Sequence, residues 1–209
     1  MDPNQFVDDV RDENQTALSR LGSSKALYAD TEGEMDTEPV LRAAADSEFH
    51  ARKTFEEWAE TEGNETARET YETTADEEGE HYGLVAERLD GDHEPGDTPA
   101  IHEYLRDTED TAGRAGAFVG RTIATQKSKE QLVGFFVGQA DTQGAQLFRD
   151  LGDEVDAQLE RGKDLLSDVC ETDDDWARAG EAAGDAIQAA YDEYTESLEE
   201  MGVNPKPVC

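Results

Sequence analysis

Leu41, Ala44, Ala51, Phe55 and Trp58 fall on one face of a helix turning once in about 3.6 residues, with a gap in the stripe at position 48. The same spacing of apolar residues returns along nearly the whole chain, and no segment shows the strict alternation of a half-buried strand. This constrains the fold more than any other feature: the chain can bury apolar surface only as helices packed on helices.

Five long helical segments are predicted. The first covers about 4–31, with Phe6, Val10, Ala17, Leu21 and Tyr28 on one face. The second covers about 37–62, with Pro39 in its opening turn, and the third about 64–90, after Gly63-Asn64. G-D-H-E-P-G-D-T-P at 91–99 is a loop by its Gly and Pro content, followed by a short helix, I-H-E-Y-L-R. The fourth region, about 109–170, is too long for one straight helix in a domain of this size. A break at 139–144, where Asp141 or Thr142 caps a new helix, is expected, with Lys127-Ser128 the alternative. The last helix, about 174–201, carries Trp176, Ala179, Ala183, Ile187, Tyr191, Tyr194 and Leu198 as its buried stripe. The expected architecture is all-α, an up-down bundle in a single domain: a core over about 37–170, flanking helices at 4–31 and 174–201, and a tail at 202–209.

Two stretches echo each other, G-A-F-V-G at 116–120 and G-F-F-V-G at 134–138. Glycines at i and i+4 let a second helix approach closely, so both mark expected tight packing or an oligomer contact.

Composition narrows the partners. Eighteen basic against 52 acidic residues give a net charge of −34, which repels nucleic acid and anionic membrane surfaces. Such like charge is screened by dense salt, and the simplest expectation is a halophilic cytoplasmic protein. M-D-P-N-Q-F-V-D-D lacks the basic start and apolar run of a signal peptide, and no apolar run approaches the roughly 18 residues of a membrane span. Two cysteines, Cys170 and Cys209, with no C-x-x-C, exclude a cysteine-based metal cluster; Cys209 is expected as an exposed thiol in a non-helical tail.

Against this background the gap at position 48 gains meaning. The residue there is Glu48, and the stripe of the third segment, Ala67, Tyr71, Thr74, Val85 and Leu89, is interrupted by Glu78 and His81. Acids are common enough here that E-x-x-H alone says little. Acids on faces that pack inward say more, because burying an ionised carboxylate costs several kcal/mol unless it is paired or holds a metal. Positions 48 and 78 each lie about 15 residues from the turn near Gly63, so an antiparallel pair brings them level. Glu13, between Val10 and Ala17, is a further candidate ligand. The alternative is internal pairing: Glu48 with Arg52 one turn on, and His81 donating to a carboxylate. His50, His93 and His102 read as surface or loop residues, and Tyr71 and Tyr82, near the proposed site, as packing residues, with proton or electron donation the alternative.

E-F-H-A-R at 48–52, followed by E-T-T-A-D-E-E-G-E-H at 72–81, resembles the first half of a rubrerythrin, a family within the ferritin-like superfamily. The likeness spans about 45 residues, Ala44 to Leu89. It implies a ferritin-like four-helix bundle with a two-metal carboxylate site, usually iron, for peroxide reduction or ferroxidase chemistry. By resemblance, Glu48 and Glu78 are carboxylate ligands and His81 an imidazole ligand, with manganese a second candidate metal. The second half departs from the pattern. Val155 and Gln158 stand where the second E-x-x-H belongs, Arg121 or Thr122 where a core Glu belongs, and no His follows His102. Three arrangements remain open: one metal on Glu48, Glu78 and His81, with or without Glu13; two half sites pooled in a homodimer; or a metal-free acidic scaffold or interaction module that has lost the site.

Overall fold

The computed structural model describes residues 1–205, and the described residues form nine helices and no strand. Cys209 lies outside them. α1 (Pro3–Glu13), α2 (Gln15–Leu21) and α3 (Ser24–Asp30) lead into α4 (Thr37–Thr61) and α5 (Glu65–Ala86). α6 (Ala100–Asp107) sits in the crossover to α7 (Thr111–Gly138), α8 (Thr142–Val169) and α9 (Asp173–Glu200). No helix among the described residues is long and apolar enough to cross a membrane.

Two antiparallel hairpins, α4–α5 and α7–α8, face each other to make a four-helix bundle, with α9 packed along α7. The turns are built by side chains. Asn64 caps α5 by accepting from Ala67 N, and Asp141 caps α8 by accepting from Gln143 N and Gly144 N. The break therefore falls at 139–141, and α7 runs unbroken through Lys127-Ser128, where an end was the alternative expectation. Between the hairpins, the pairs Thr74–Arg161, Glu78–Gln158 and His81–Glu154 step in opposite directions, so α5 and α8 are antiparallel.

The first segment departs from expectation. It is three short helices rather than one, broken at Asn14 and at Gly22-Ser23. Asn14 turns its side-chain amide back onto Val10 O, ending α1, which packs on α7, α8 and α9. The last helix matches its predicted stripe at Trp176, Ala179, Ala183, Ile187, Tyr194 and Leu198, which are buried, while Tyr191 is half-buried, and a capping box of Thr172 and Asp175 starts it.

Gly116 and Gly120 explain how α9 comes so close. A Cβ at either would overlap the backbone of Ala179 or Ala183. Gly134 and Gly138, in the echoing stretch, meet nothing within 4 Å, so the expected tight contact is absent there.

The apolar core has two large parts and a small third one of Ala26, Ala29, Tyr194 and Leu198. Of the large parts, one gathers Phe55, Trp58, Tyr71, Phe118 and the buried α9 residues from Trp176 to Ile187; the other gathers Leu41, Val85, Leu132, Phe136, Phe148 and Leu151. Between them, across the middle of the bundle, runs a layer of buried polar side chains: Glu48, Glu78, His81, Arg121, Lys129 and Gln158.

Candidate metal centre

Glu48 is supplied by α4, and Glu78 and His81 by α5, and all three are fully buried. One ligand atom of each lies within 4.8 Å of the other two. The antiparallel register predicted around Gly63 is thus the one observed. His81 Nδ1 stands 3.8 Å from Glu48 Oε2 and 3.7 Å from Glu78 Oε2. None of these three atoms has a hydrogen-bond partner.

The other atoms of the same groups are engaged. Lys129 on α7 donates to Glu48 Oε1. Arg121 donates to Glu78 Oε1 at 2.8 Å, and the Gln158 amide donates to the same oxygen at 3.0 Å. His81 Nε2 lies 2.7 Å from Glu154 Oε2. A carboxylate only accepts, so Nε2 carries the hydrogen there. Farther out on the α8 side, Arg161 donates to Glu77 at 2.9 Å.

The electrostatics follow this wiring. Burial works against an ionised Glu78, but the Arg121 guanidinium and His81 beside it hold its carboxyl well below the usual carboxylate range. Burial also works against a charged His81, yet the Glu48 and Glu78 carboxylates raise it to about 10.

Several expectations are corrected. Glu13 does not join the cluster: it ends α1, is exposed, and belongs to a helix that packs on α7, α8 and α9. Its stripe of Phe6, Val7 and Val10 stops with the turn at Asn14. Arg52 does not pair with Glu48 but with Glu56, on the solvent side of α4. His81 does donate to a carboxylate, as the pairing alternative had it. His50 and His102 are buried rather than superficial, and the His93 side chain is almost wholly covered. His50 donates through Nε2 to Gly96 O, tying the 91–99 loop to α4. Tyr82 contacts the same loop, through His93. The Tyr71 ring packs with Phe55, Trp58 and Phe118, about two turns along α5 from Glu78.

Sequence reasoning missed two residues of the site, Lys129 and Glu154. Phe118, Thr122, Thr125, Lys129, Leu132 and Phe136 make an alternating four-and-three stripe on α7, and Lys129 occupies an inward position of it. The signal was present as a cation on an apolar face, the mirror of the one that identified Glu48.

The donor set suits a cation. Two carboxylate oxygens and one imidazole nitrogen match ferrous iron, manganese or zinc. Separations of 3.7 and 3.8 Å are too long for hydrogen bonds but are spanned by two metal–ligand bonds of about 2.1 Å meeting at an angle. The outer oxygens of the two carboxylates are taken by Arg121, Lys129 and Gln158 from this same chain. Comparison with protein-family models, curated proteins and solved structures returned no match.

Proposed function

We propose that this chain is a rubrerythrin-like bundle that binds one divalent first-row metal ion, iron or manganese, on Glu48, Glu78 and His81. The observation that carries the reading is the aim of His81 Nδ1. With Nε2–H committed to Glu154, the buried Nδ1 faces two carboxylate oxygens that have no hydrogen-bond partner, and at 3.8 and 3.7 Å a proton on Nδ1 stands too far from either to bridge them. Such a convergence in a buried layer is relieved by a cation. Glu154 plays the supporting part expected of a carboxylate behind a ligating histidine, fixing its tautomer and ring direction. Lys129 and Arg121 each hold one oxygen of a carboxylate, which leaves one oxygen apiece free to face inward.

Iron or manganese in this donor set supplies electron transfer and Lewis-acid activation toward peroxide or oxygen, the chemistry that the resemblance implies. The chain's own contribution is a dry, preformed ligand triad between two apolar clusters.

One observation favours a second reading, a metal-free scaffold. Glu48, Glu78 and Glu154 face Lys129 and Arg121, so a single proton on His81 brings the set to neutrality. In that form, however, its Nδ1–H has no oxygen within hydrogen-bonding distance.

The deciding experiment is metal content by mass spectrometry after anaerobic loading with ferrous iron or manganese, beside a Glu78→Gln variant. Gln keeps the shape and the acceptor for Arg121 while removing the ligating charge. About one equivalent per chain in the parent, lost in a folded Glu78→Gln, is expected. Equal, negligible metal in both would establish the scaffold.

A further inference from the structure

We infer that Lys129 is a tethered stand-in for the metal ion, seated on Glu48 while the site is empty and turned out toward a groove along α8 when an ion binds; this rests on the metal-binding reading above.

Lys129 and the ion share one carboxylate. The ammonium donates to Glu48 Oε1, while Glu48 Oε2 is one of the three unpartnered atoms that face one another. A cation on each oxygen of a buried carboxylate brings two like charges close together where little water screens them. In the empty protein the same ammonium is needed: Glu48 and Glu78 are both fully buried, and Arg121 answers Glu78. One lysine therefore favours the empty site and opposes the loaded one.

A second position lies beside the first. Lys129 borders a groove of about 1020 Å³ between α1–α2, α7 and α8. Gly152 on α8 stands next to its stem: a Cβ there would lie 3.8 Å from Lys129 Cβ, in ordinary contact. Asp153 and Asp156, which follow on α8, are exposed and line the same groove, as does Glu130 of α7. A flexible lysine stem that swings away from Glu48 carries its ammonium to these carboxylates and to water, so the charge is answered in both positions. Arg121, on Glu78, does not line this groove. Metal binding is then coupled to a side-chain switch rather than to folding: the buried layer closes without an ion, and the ion binds less tightly because it must displace a resident cation.

The test has two readouts. Manganese(II) is titrated calorimetrically into the full chain, Lys129→Met and Lys129→Arg. Lys129→Met is expected to bind about tenfold or more tightly, because the competing charge is gone, and Lys129→Arg to stay within about threefold of the parent. Amine acetylation of the parent, read residue by residue by peptide mass spectrometry, needs no variant and decides alone if Lys129→Met does not fold empty. Lys129, with 5% of its side chain exposed, is expected to be protected in the empty protein and to label about fivefold faster or more with manganese, while Lys127, 36% exposed, keeps its rate. An ion that only tightened the fold would slow Lys129 instead. Lys129→Met that binds no more tightly than the parent, or Lys129 still protected in the loaded parent, overturns the inference and leaves the metal reading standing. Failure of the parent to bind manganese overturns both.

Discussion

Lys129 and Glu48, 81 positions apart in sequence, meet across the bundle as an ion pair in which neither side chain has more than 5% of its surface exposed. Removing one partner of such a pair strands the other. Lys129→Met in metal-free protein is expected to lower stability by about 3–5 kcal/mol, because the Glu48 carboxylate loses its cation. Glu48→Leu combined with Lys129→Met, which deletes both charges, is expected to return to within about 1 kcal/mol of the parent or to exceed it. Urea denaturation of the parent and the two variants measures this, and a double variant no more stable than the single one would refute the pairing.

Acid and alkaline limits come from different histidines. Burial, with Arg121 nearby, holds His102 well below its ordinary value of 6.5, so the unfolded chain binds the proton more readily. Its contribution is whole above pH 6.5 and is lost as pH falls below that. Glu78, also depressed, adds a loss below its ordinary 4.5. His81 runs the other way: raised to about 10, it contributes fully below pH 6.5 and progressively less between 6.5 and 10. Metal-free protein is therefore expected to melt highest near pH 6.5. A bound ion replaces the proton on His81, so manganese-loaded protein is expected to lose most of the decline between pH 6.5 and 10. Melting curves across pH, with and without metal, read both effects.

The two glycine pairs of α7 look alike in sequence and behave oppositely in the fold. Gly116→Ala or Gly120→Ala pushes a methyl into the α9 backbone and is expected to cost about 1–3 kcal/mol or more. Gly134→Ala and Gly138→Ala meet open space and are expected to be neutral or to stabilise by up to about 1 kcal/mol, through helix propensity alone. Thermal melts of the four single variants distinguish them.

That contrast marks how far sequence carried. Period and caps located α4, α5 and α9 to within a few residues, because each has one apolar face against a charged one. The same pattern made Glu48, Glu78 and His81 visible as interruptions. α7 gave no such signal over its first half, where every residue from Ala112 to Ala124 is buried. A helix covered on all sides has no stripe whose phase can be read, so the inward aim of Arg121 stayed hidden, whereas Lys129, beyond that stretch, lay on a legible stripe and was passed over. Glu13 failed for a related reason: its place on a face depended on a helix continuing past Asn14, and a turn there reset the phase.

Glu154 offers the cleanest separation of ligand support from folding. Its side chain is 52% exposed, yet it accepts from His81 Nε2 at 2.7 Å and so sets which imidazole nitrogen faces the carboxylates. Loss of such a partner typically weakens metal binding about 10–100-fold. Glu154→Ala is expected to fall in that range, because His81 is then free to rotate or to carry its hydrogen on Nδ1, where it blocks the lone pair. Glu154→Gln, whose amide oxygen still accepts, is expected to lose much less. Both variants should melt close to the parent when metal-free, since a half-exposed carboxylate contributes little to the core. Calorimetric titration with manganese, paired with those melts, checks the order parent, Glu154→Gln, Glu154→Ala. Equal affinities in all three would mean that the ring is held by packing alone and that Glu154 is a surface residue beside it.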